Sequence, residues 1–243
     1  MGLTYAMIGG GIEAFIGEVH RKAIALDNTA SLVAGALSST PEKSIESAKQ
    51  LGLPEDRSYG SWQELVEHEP KRKDTVDFVV IVTPNGTHFE IAEACLNAGF
   101  NVVIDKPMTT TTEEARELAH LANEKGLVCA LTYTYSGYPM IREAAELVRS
   151  GTLGKIRRVE VNYIQGWLAE SIEKTGQKQA SWRMDPKQAG AGGALGDIGT
   201  HAEHLASFVT GLEIEALSAE LTSFGEGRVL DDDAMIRIRY AGG

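Results

Sequence analysis

Short apolar runs alternate with amphipathic segments over the first 132 residues of this 243-residue chain. The runs predict strands at Thr4–Ile8, Ser31–Leu37, Val76–Val82, Asn101–Ile104 and Leu127–Thr132. The segments between them carry apolar residues at helical spacing, and several of them end at a glycine. Such strand–helix alternation predicts right-handed crossovers and a parallel sheet, hence an α/β fold.

The strand–helix alternation ends after Thr132. We place a domain boundary there, with one domain over 1–132 and a second over 133–243. The second part is predicted to contain helices at Pro139–Arg149 and Ala194–Val209, and strands at Ile156–Gln165, Glu215–Phe224 and Ala234–Tyr240. An irregular polar stretch separates the first of these strands from the second helix.

The composition, 43% hydrophobic and 23% charged, is typical of a globular protein. A formal net charge of −11 argues against a nucleic-acid partner, because phosphate binding needs a basic face, and gives no reason to expect a membrane partner. We see no signal peptide and no apolar run near the roughly 18 residues of a membrane span. Cys95 and Cys129 lie in apolar runs and are expected to be free thiols in a reducing compartment. These features predict a cytoplasmic protein.

A glycine-rich turn, Gly9-Gly10-Gly11-Ile12-Glu13-Ala14, follows the first predicted strand and opens the first predicted helix. It fits the pattern G-x-G-x-x-A, in which Gly9 permits the tight turn and Gly11 lets the backbone approach a pyrophosphate. A small residue at Ala14 allows close packing of helix on strand, and the helix N-terminus favours negative charge. A plain β–α turn is the alternative, but the position between strand and helix favours dinucleotide binding.

The end of the second strand does not decide between NAD and NADP as the cofactor. NAD enzymes usually carry an acid there and NADP enzymes an arginine nearby, whereas this chain has Ser38-Ser39-Thr40. Thr83-Pro84-Asn85 and His88 follow the third strand, at the same sheet edge, and could line the cofactor. The alternatives are an ordinary turn and a surface histidine.

Lys106 stands between Asp105 and Pro107 at the end of the fourth strand. Ligands of open parallel sheets bind outside the carboxyl ends of the strands, so a lysine here is aimed at a crevice. A solvated surface charge is the alternative.

A second segment, from Gly190 to His201, contains Asp197 and His201 four residues apart, so both project from one helical face. A histidine can take the hydroxyl proton during alcohol oxidation, and a carboxylate can orient it or bind another substrate hydroxyl. Lys106 can stabilise the developing alkoxide. Solvated helix residues are one alternative. Another is a metal site with His204, although no further ligands obviously complete it, and we predict no metal.

Together these segments resemble the Gfo/Idh/MocA family of sugar and polyol oxidoreductases, over essentially the whole chain. The matching segments are Gly9–Ala14, Thr83-Pro84-Asn85-x-x-His88, Asp105-Lys106-Pro107 and Gly193-x-x-x-Asp197-x-Gly199-x-His201. The resemblance implies a doubly wound Rossmann sheet followed by an α/β domain with an open mixed sheet. It implies an NAD(P)-dependent oxidoreductase that acts on a sugar, polyol or glycoside.

The resemblance also implies roles for single residues. Lys106, Asp197 and His201 take the places of the family's catalytic Lys, Asp and His, and Trp182-Arg183 matches a pair often found near the cofactor. The residues expected at the cofactor are Gly9, Gly11, Ala14, Phe15, Ile16, Ser38, Thr83, Pro84, Asn85, His88, Asp105, Lys106, Trp182 and Arg183.

The chain departs from the family pattern in two places. Tyr133-Thr134-Tyr135 stands where many members have an asparagine before the tyrosine, and members usually continue well beyond this length. A truncated second domain would expose an apolar sheet edge and face, so we expect a homo-oligomer that forms through the C-terminal sheet. The alternative functions are a nucleotide-binding protein without catalysis and a truncated, inactive member of the family.

Overall fold

The structure is a computed structural model that describes residues 2–12 and 14–241. Glu13 of the predicted glycine turn and the Gly242-Gly243 end lie outside the described residues. The chain divides into two compact units, Met1–Thr132 and Tyr133–Gly243. They are called the N-unit and the C-unit below.

The N-unit is built on a five-stranded parallel sheet. Its strands are β1 (Leu3–Gly9), β2 (Ala30–Ala36), β3 (Phe78–Val82), β4 (Asn101–Asp105) and β5 (Cys129–Thr132). Every strand predicted for this part is present, with ends displaced by at most a few residues. β3 reads Phe-Val-Val-Ile-Val, and the side chains of Val79, Val80 and Ile81 are fully buried because helices cover both faces of the sheet.

Five α-helices accompany these strands: α1 (Phe15–Ala25), α2 (Pro41–Gln50), α3 (Trp62–His68), α4 (His88–Asn97) and α5 (Thr112–Lys125). Local sequence explains where α5 begins and ends. Thr111 and Glu114 form a capping box at its N-terminus, and Gly126 closes it in the left-handed conformation, with φ of 66°.

The strand order β2-β1-β3-β4-β5 determines where a ligand can bind. The order reverses between β1 and β3, and such a switch point leaves a crevice outside the carboxyl ends of the two strands. The glycine turn follows β1, Thr83-Pro84-Asn85 follows β3, and Lys106 follows the neighbouring β4. Three segments selected from sequence therefore share one edge of the sheet.

The C-unit contains α6 (Pro139–Arg149), α7 (Lys178–Arg183), α8 (Pro186–Ala189) and α9 (Thr200–Thr210), followed by an antiparallel pair, β6 (Ile214–Thr222) and β7 (Asp233–Tyr240). A π-helical turn, Leu195–Gly199, leads directly into α9. The helix predicted from Ala194 is therefore present, but its first turn is wider than an α-helix.

The predicted strand at Ile156–Gln165 is wrong, since this segment forms neither helix nor strand. A strand requires a hydrogen-bonded neighbour, and in the described part of the C-unit β6 and β7 pair only with each other. The α/β class is confirmed, but the sheet described for the C-unit is a two-stranded antiparallel pair instead of the open mixed sheet that we predicted.

Both cysteines are free thiols, and burial raises the pKa of Cys95 to about 12. In residues 2–12 and 14–241, no helix has both the length and the apolar character needed to cross a membrane.

Candidate functional site

The glycine turn is a tight left-handed bend that touches the β3 loop. Gly9 and Gly10 have φ of 79° and 71°, a region that favours glycine. A Cβ atom on Gly9 would lie 2.9 Å from Cγ2 of Thr83. The turn and the end of β3 are thus in contact, as the predicted cofactor site requires.

The close packing that we assigned to Ala14 is provided by Gly17, which sequence reasoning missed. A Cβ atom on Gly17 would lie 2.3 Å from both Cα and O of Gly10, so only glycine fits there. Ala14 instead is the N-cap of α1, and its N–H donates to the Gly11 carbonyl across 2.9 Å. The available signal was a glycine inside the first helix, where glycine is unfavourable without a packing reason.

The first N–H groups of α1 are suited to an anion. Ala14 provides no side-chain cap, and the first N–H groups of a helix have no intrahelical partner. Together with the glycine turn, these groups fit the pyrophosphate of a dinucleotide. Phe15 is 70% exposed at this end, whereas Ile16 packs partly buried against Tyr5, Met7 and their apolar neighbours.

Arg21, a further residue that sequence reasoning missed, supports the turn from α1. Its guanidinium donates a hydrogen bond to the Gly10 carbonyl and lies 3.5 Å from the sulfur of Met7. Burial lowers the pKa of Arg21, while the charges of Tyr5 and Glu18 act in the opposite direction.

At the end of β2, the Ser38 hydroxyl accepts the Thr40 N–H at 3.2 Å.

His88 joins the loops that follow β3 and β4. It is fully buried, and its Nε2 and Nδ1 atoms lie 2.9 Å and 2.8 Å from the carbonyl oxygens of Thr83 and Pro107. The surface alternative for His88 is therefore wrong. Asn85, in the β3 loop, is also buried, at 7% exposure. The two loops are connected through the histidine ring.

Asp105, at the end of β4, contacts side chains of two other elements, β5 and α1. The hydroxyl of Thr132, its partner on β5, donates at 3.0 Å, and Nε2 of His20 on α1 lies 3.5 Å away. Burial raises the pKa of Asp105, but the hydrogen bonds from His20 and Thr132 and the charges of His20 and Lys106 outweigh it, so the pKa is lowered. Lys106 follows, half-buried, before a cis bond to Pro107.

In the C-unit, Asp197 lies in the π-helical turn and is paired with Arg183. Arg183 Nε donates to Asp197 Oδ2 across 2.9 Å, and each side chain is 21% exposed. The guanidinium also lies 4.2 Å from the ring centroid of Trp182 and 5.4 Å from that of Trp167. Sequence reasoning selected Arg183 for the cofactor and did not foresee its contact with Asp197.

His201 is the second residue of α9 and is surrounded by tyrosines. Its ring centroid lies 4.7 Å from that of Tyr135, 5.7 Å from Tyr133 and 6.2 Å from Tyr163, and the residue is 9% exposed. His204, one turn later, stacks on Tyr133 at 3.9 Å, and burial lowers its pKa against the opposing charge of Glu203. The two histidines thus have different surroundings.

An open cavity of about 260 Å³ borders the Arg183–Asp197 pair. Trp167, Arg228 and Asp231 also line it. Its volume lies just below the range of about 300–1,000 Å³ that is usual for drug-sized ligands, so a small molecule could be accommodated. Within the described ranges, no group of three or more His, Cys, Asp or Glu side chains is arranged to hold a metal ion.

Two family models match the chain. Residues 3–133 match the model described as "Oxidoreductase family, NAD-binding Rossmann fold", and residues 141–243 match the GFO/IDH/MocA C-terminal domain.

Individual relatives match over the whole chain but are longer. An uncharacterized oxidoreductase of Bacillus subtilis, YfiI, is 35% identical over 99% of this chain and 62% of its own length. An inositol dehydrogenase homolog from Azotobacter vinelandii, solved with NAD+, superposes with a TM-score of 0.96 at 38% identity, over 100% of this chain and 63% of that one.

A levoglucosan dehydrogenase solved with NADH and levoglucosan superposes with a TM-score of 0.82 at 30% identity, over 100% of this chain and 65% of that one. The levoglucosan dehydrogenase of Pseudarthrobacter phenanthrenivorans is 29% identical over 99% of this chain and 65% of its own length. The chain therefore spans somewhat less than two thirds of each of these four relatives.

Proposed function

Because the chain belongs to the Gfo/Idh/MocA oxidoreductase family, we propose that it transfers a hydride between the nicotinamide of NAD or NADP and a hydroxyl or carbonyl group of a sugar, polyol or glycoside. The observation that carries the proposal is the glycine turn with the open N-terminus of α1 at the β1/β3 switch point. The relatives solved with NAD+, or with NADH and levoglucosan, support the same cofactor and substrate class.

Residues of the N-unit, 1–132, are assigned to the cofactor. The turn at Gly9–Gly11 and the N–H groups at the start of α1 bind the pyrophosphate, and the β3 loop lies beside them. His88 keeps that loop joined to the β4 loop, and so keeps Lys106 at the sheet edge. Ser38 is expected near the ribose, where its hydroxyl suits either cofactor, so the choice between NAD and NADP stays open.

Residues of the C-unit, 133–243, are assigned to the substrate. His201 takes the proton of the reacting hydroxyl at a ring nitrogen, and its tyrosine neighbours hold the ring in place. Asp197 binds a further hydroxyl, while Arg183 occupies one of its carboxylate oxygens. From the N-unit, we assign Lys106 to the stabilisation of negative charge on the substrate oxygen. The bound nicotinamide supplies the hydride chemistry.

The test is a titration with NADH and NADPH, followed by nicotinamide fluorescence, and then a panel of sugars and polyols read at the nicotinamide absorbance. We expect binding of at least one cofactor and turnover of at least one substrate. Cofactor binding without turnover of any substrate would favour the non-catalytic alternative. Absence of cofactor binding would refute both.

The chain is further proposed to form a homo-oligomer through its C-terminal sheet. Cross-strand pairing places Leu217 opposite Ile238, Ala219 opposite Ile236 and Leu221 opposite Ala234. Because directly opposed residues share a face, these side chains form one apolar face of the β6–β7 pair. Leu217 is 63% exposed and Leu221 48%, which is unfavourable in water.

Light scattering of the chain tests this association. Leu217→Lys should shift the chain towards monomer, whereas Ser218→Lys, on the opposite face, should leave the mass unchanged. A monomeric parent chain at working concentration would contradict the proposal.

A further inference from the structure

Asp231 holds three consecutive backbone N–H groups of the glycine-rich segment that leads to Asp197. Its Oδ1 accepts the N–H of Gly193 at 2.7 Å, its Oδ2 accepts that of Leu195 at 2.6 Å, and its carbonyl accepts that of Ala194 at 2.8 Å. Asp231 is only 6% exposed. One acidic residue, 36 or more positions away in sequence, thus satisfies the first N–H groups of the helical segment.

The contact is too close for any residue but glycine at position 193. A Cβ atom there would lie 2.1 Å from the carbonyl oxygen of Asp231 and 3.1 Å from Cβ of Leu230. The first of these atoms is backbone and cannot move aside as the end of a flexible side chain can. The backbones of residues 193 and 231 are therefore fixed against each other.

This attachment is transmitted to Asp197 through one hydrogen bond. The Asp197 N–H donates to the carbonyl of Gly193 at 3.0 Å, so the backbone of Asp197 is set by the residue that Asp231 holds. From the other side, the Asp197 carboxylate meets Arg183. A shift of the segment would move the carboxylate relative to the cavity that it lines.

We propose that Asp231 is a positioning residue, which fixes the glycine-rich segment so that Asp197 faces the substrate. The proposal rests on the proposed function, because it assigns Asp231 an effect on turnover. Asp231 acts through Asp197 and through the helical turn before His201. The effect is geometric, and displacements of about 1 Å in a site can cost about a hundredfold in rate.

Asp232 provides a matched control, since its carboxylate also accepts two backbone N–H groups, but from a different segment. Its carboxylate oxygens accept the N–H groups of Phe224 and Gly225, each at 2.8 Å, and one of them also meets Arg228 at 3.2 Å. These contacts hold the connection between β6 and β7, with no hydrogen bond to the segment that bears Asp197. Asp231→Asn and Asp232→Asn therefore change adjacent carboxylates that each accept two backbone N–H groups, and Asp232→Asn in addition weakens an ion pair with Arg228.

The experiment compares the parent chain with Asp231→Asn, Asp231→Glu and Asp232→Asn. Asn offers one acceptor where two N–H groups need acceptors, so amide exchange at Gly193 and Leu195 should quicken about tenfold or more in Asp231→Asn and stay unchanged in Asp232→Asn. The kcat for the best sugar or polyol should fall about tenfold or more in Asp231→Asn, and the dissociation constant of NADH should change less than about twofold. Asp232→Asn should lose less kcat than Asp231→Asn, because it leaves the three N–H groups of residues 193–195 attached.

Asp231→Glu keeps the charge and both oxygens but adds a methylene, so it carries the test if Asp231→Asn does not fold. It should fold, bind NADH and lose kcat, because the segment is displaced. Parental kcat in Asp231→Glu, or in a folded Asp231→Asn with faster exchange, would overturn the positioning role. A parent without hydride transfer would refute the proposed function and the positioning role with it. Unchanged amide exchange in Asp231→Asn would refute the attachment, and it would leave the proposed function untouched.

Discussion

Arg183 Nε and Asp197 Oδ2 lie 2.9 Å apart, and this hydrogen bond connects α7 to the π-helical turn before α9. The guanidinium also lies over the Trp182 ring, 4.2 Å from its centroid, and this contact helps to hold it beside the carboxylate. Charge-assisted hydrogen bonds of this kind define direction as well as distance. Arg183 therefore controls how Asp197 is presented to the cavity.

Replacing Arg183 should lower turnover through Asp197. Arg183→Met removes the hydrogen bond and the charge, and we expect kcat to fall about tenfold or more, since hydrogen bonds to charged groups contribute about 1.5–3 kcal/mol. Arg183→Lys keeps the positive charge but lacks the planar guanidinium, so its kcat should lie between those of Arg183→Met and the parent. Steady-state kinetics and an NADH titration check this expectation. A loss confined to NADH affinity would instead favour the cofactor role inferred from the sequence.

His201→Ala should lower kcat by at least about a hundredfold, the lower end for general acid–base catalysis. His204→Ala is the matched control one turn along α9, since its ring stacks on Tyr133 and has no assigned proton transfer. We expect the control to keep kcat within about fivefold, with any loss coming from packing. The measurement is kcat on the best substrate from the panel. Equal losses in the two variants would count against the assignment of His201 as the base.

Gly17→Ala should disrupt the cofactor turn. The new Cβ would lie 2.3 Å from the backbone of Gly10, and neither backbone can yield without moving the turn. We expect NADH affinity to fall about tenfold or more, although alanine in an unhindered helix is stabilising by about 0.5–1 kcal/mol. Gly137→Ala, where a Cβ atom would meet nothing within 4 Å, is the control. Unchanged NADH affinity in Gly17→Ala would show that the turn tolerates displacement.

Most of the N-unit could be predicted from sequence because its signals are local. The β-branched run ending at Val82 can only be a buried strand, and the box at Thr111 and Glu114 marks the start of α5. The glycine turn, with Gly9 and Gly11 assigned to the cofactor, was recognised for the same reason. Gly17 was missed because its contact with Gly10 depends on how α1 crosses the turn, which the pattern does not encode.

The C-unit was harder to predict because its contacts connect residues distant in sequence. Ile156–Gln165 has the composition of a strand, but a strand also needs a neighbour, and composition says nothing about neighbours. Asp197 was selected from the sequence as a site residue, but its partner Arg183 and the support from Asp231 came only from the fold. Residue type suggested which side chains could do chemistry, and tertiary structure determined which partners they have.

The stability of the chain should fall in acid, in part through Asp105. The pKa of this carboxyl is lowered in the folded state, so between the folded and unfolded values the unfolded chain binds more protons. The contribution is complete above the unfolded pKa of about 3.9 and is lost as the pH falls through the folded value. Urea unfolding at pH 7 and near pH 3 should show this loss in the parent and a smaller one in Asp105→Asn. Identical pH dependence in both proteins would contradict the assignment.

Glu69 should be among the side chains of the N-unit that stability depends on most. It is fully buried, pairs with Arg57 and accepts the Tyr59 hydroxyl at 2.7 Å. Removing one partner of a buried pair leaves an uncompensated charge, so Glu69→Ala should lower the free energy of unfolding by about 3–5 kcal/mol. Glu67→Ala, which breaks only an exposed pair with Lys71, should cost less than about 1 kcal/mol. Denaturant titration compares the free energies of unfolding of the two variants. Similar decreases would mean that the buried pair contributes no more to stability than the exposed one.

The run Asp231-Asp232-Asp233 fixes the number of residues in the connection between β6 and β7. Asp231 attaches to the segment before Asp197, Asp232 attaches to Phe224 and Gly225, and Asp233 sets the register of β7 against Thr222. Exposed connections usually accept inserted residues. Here a single insertion would break one attachment or slip β7 by one position, which would turn Ile236 and Ile238 to the opposite face. Insertions and deletions should therefore be excluded from this hairpin.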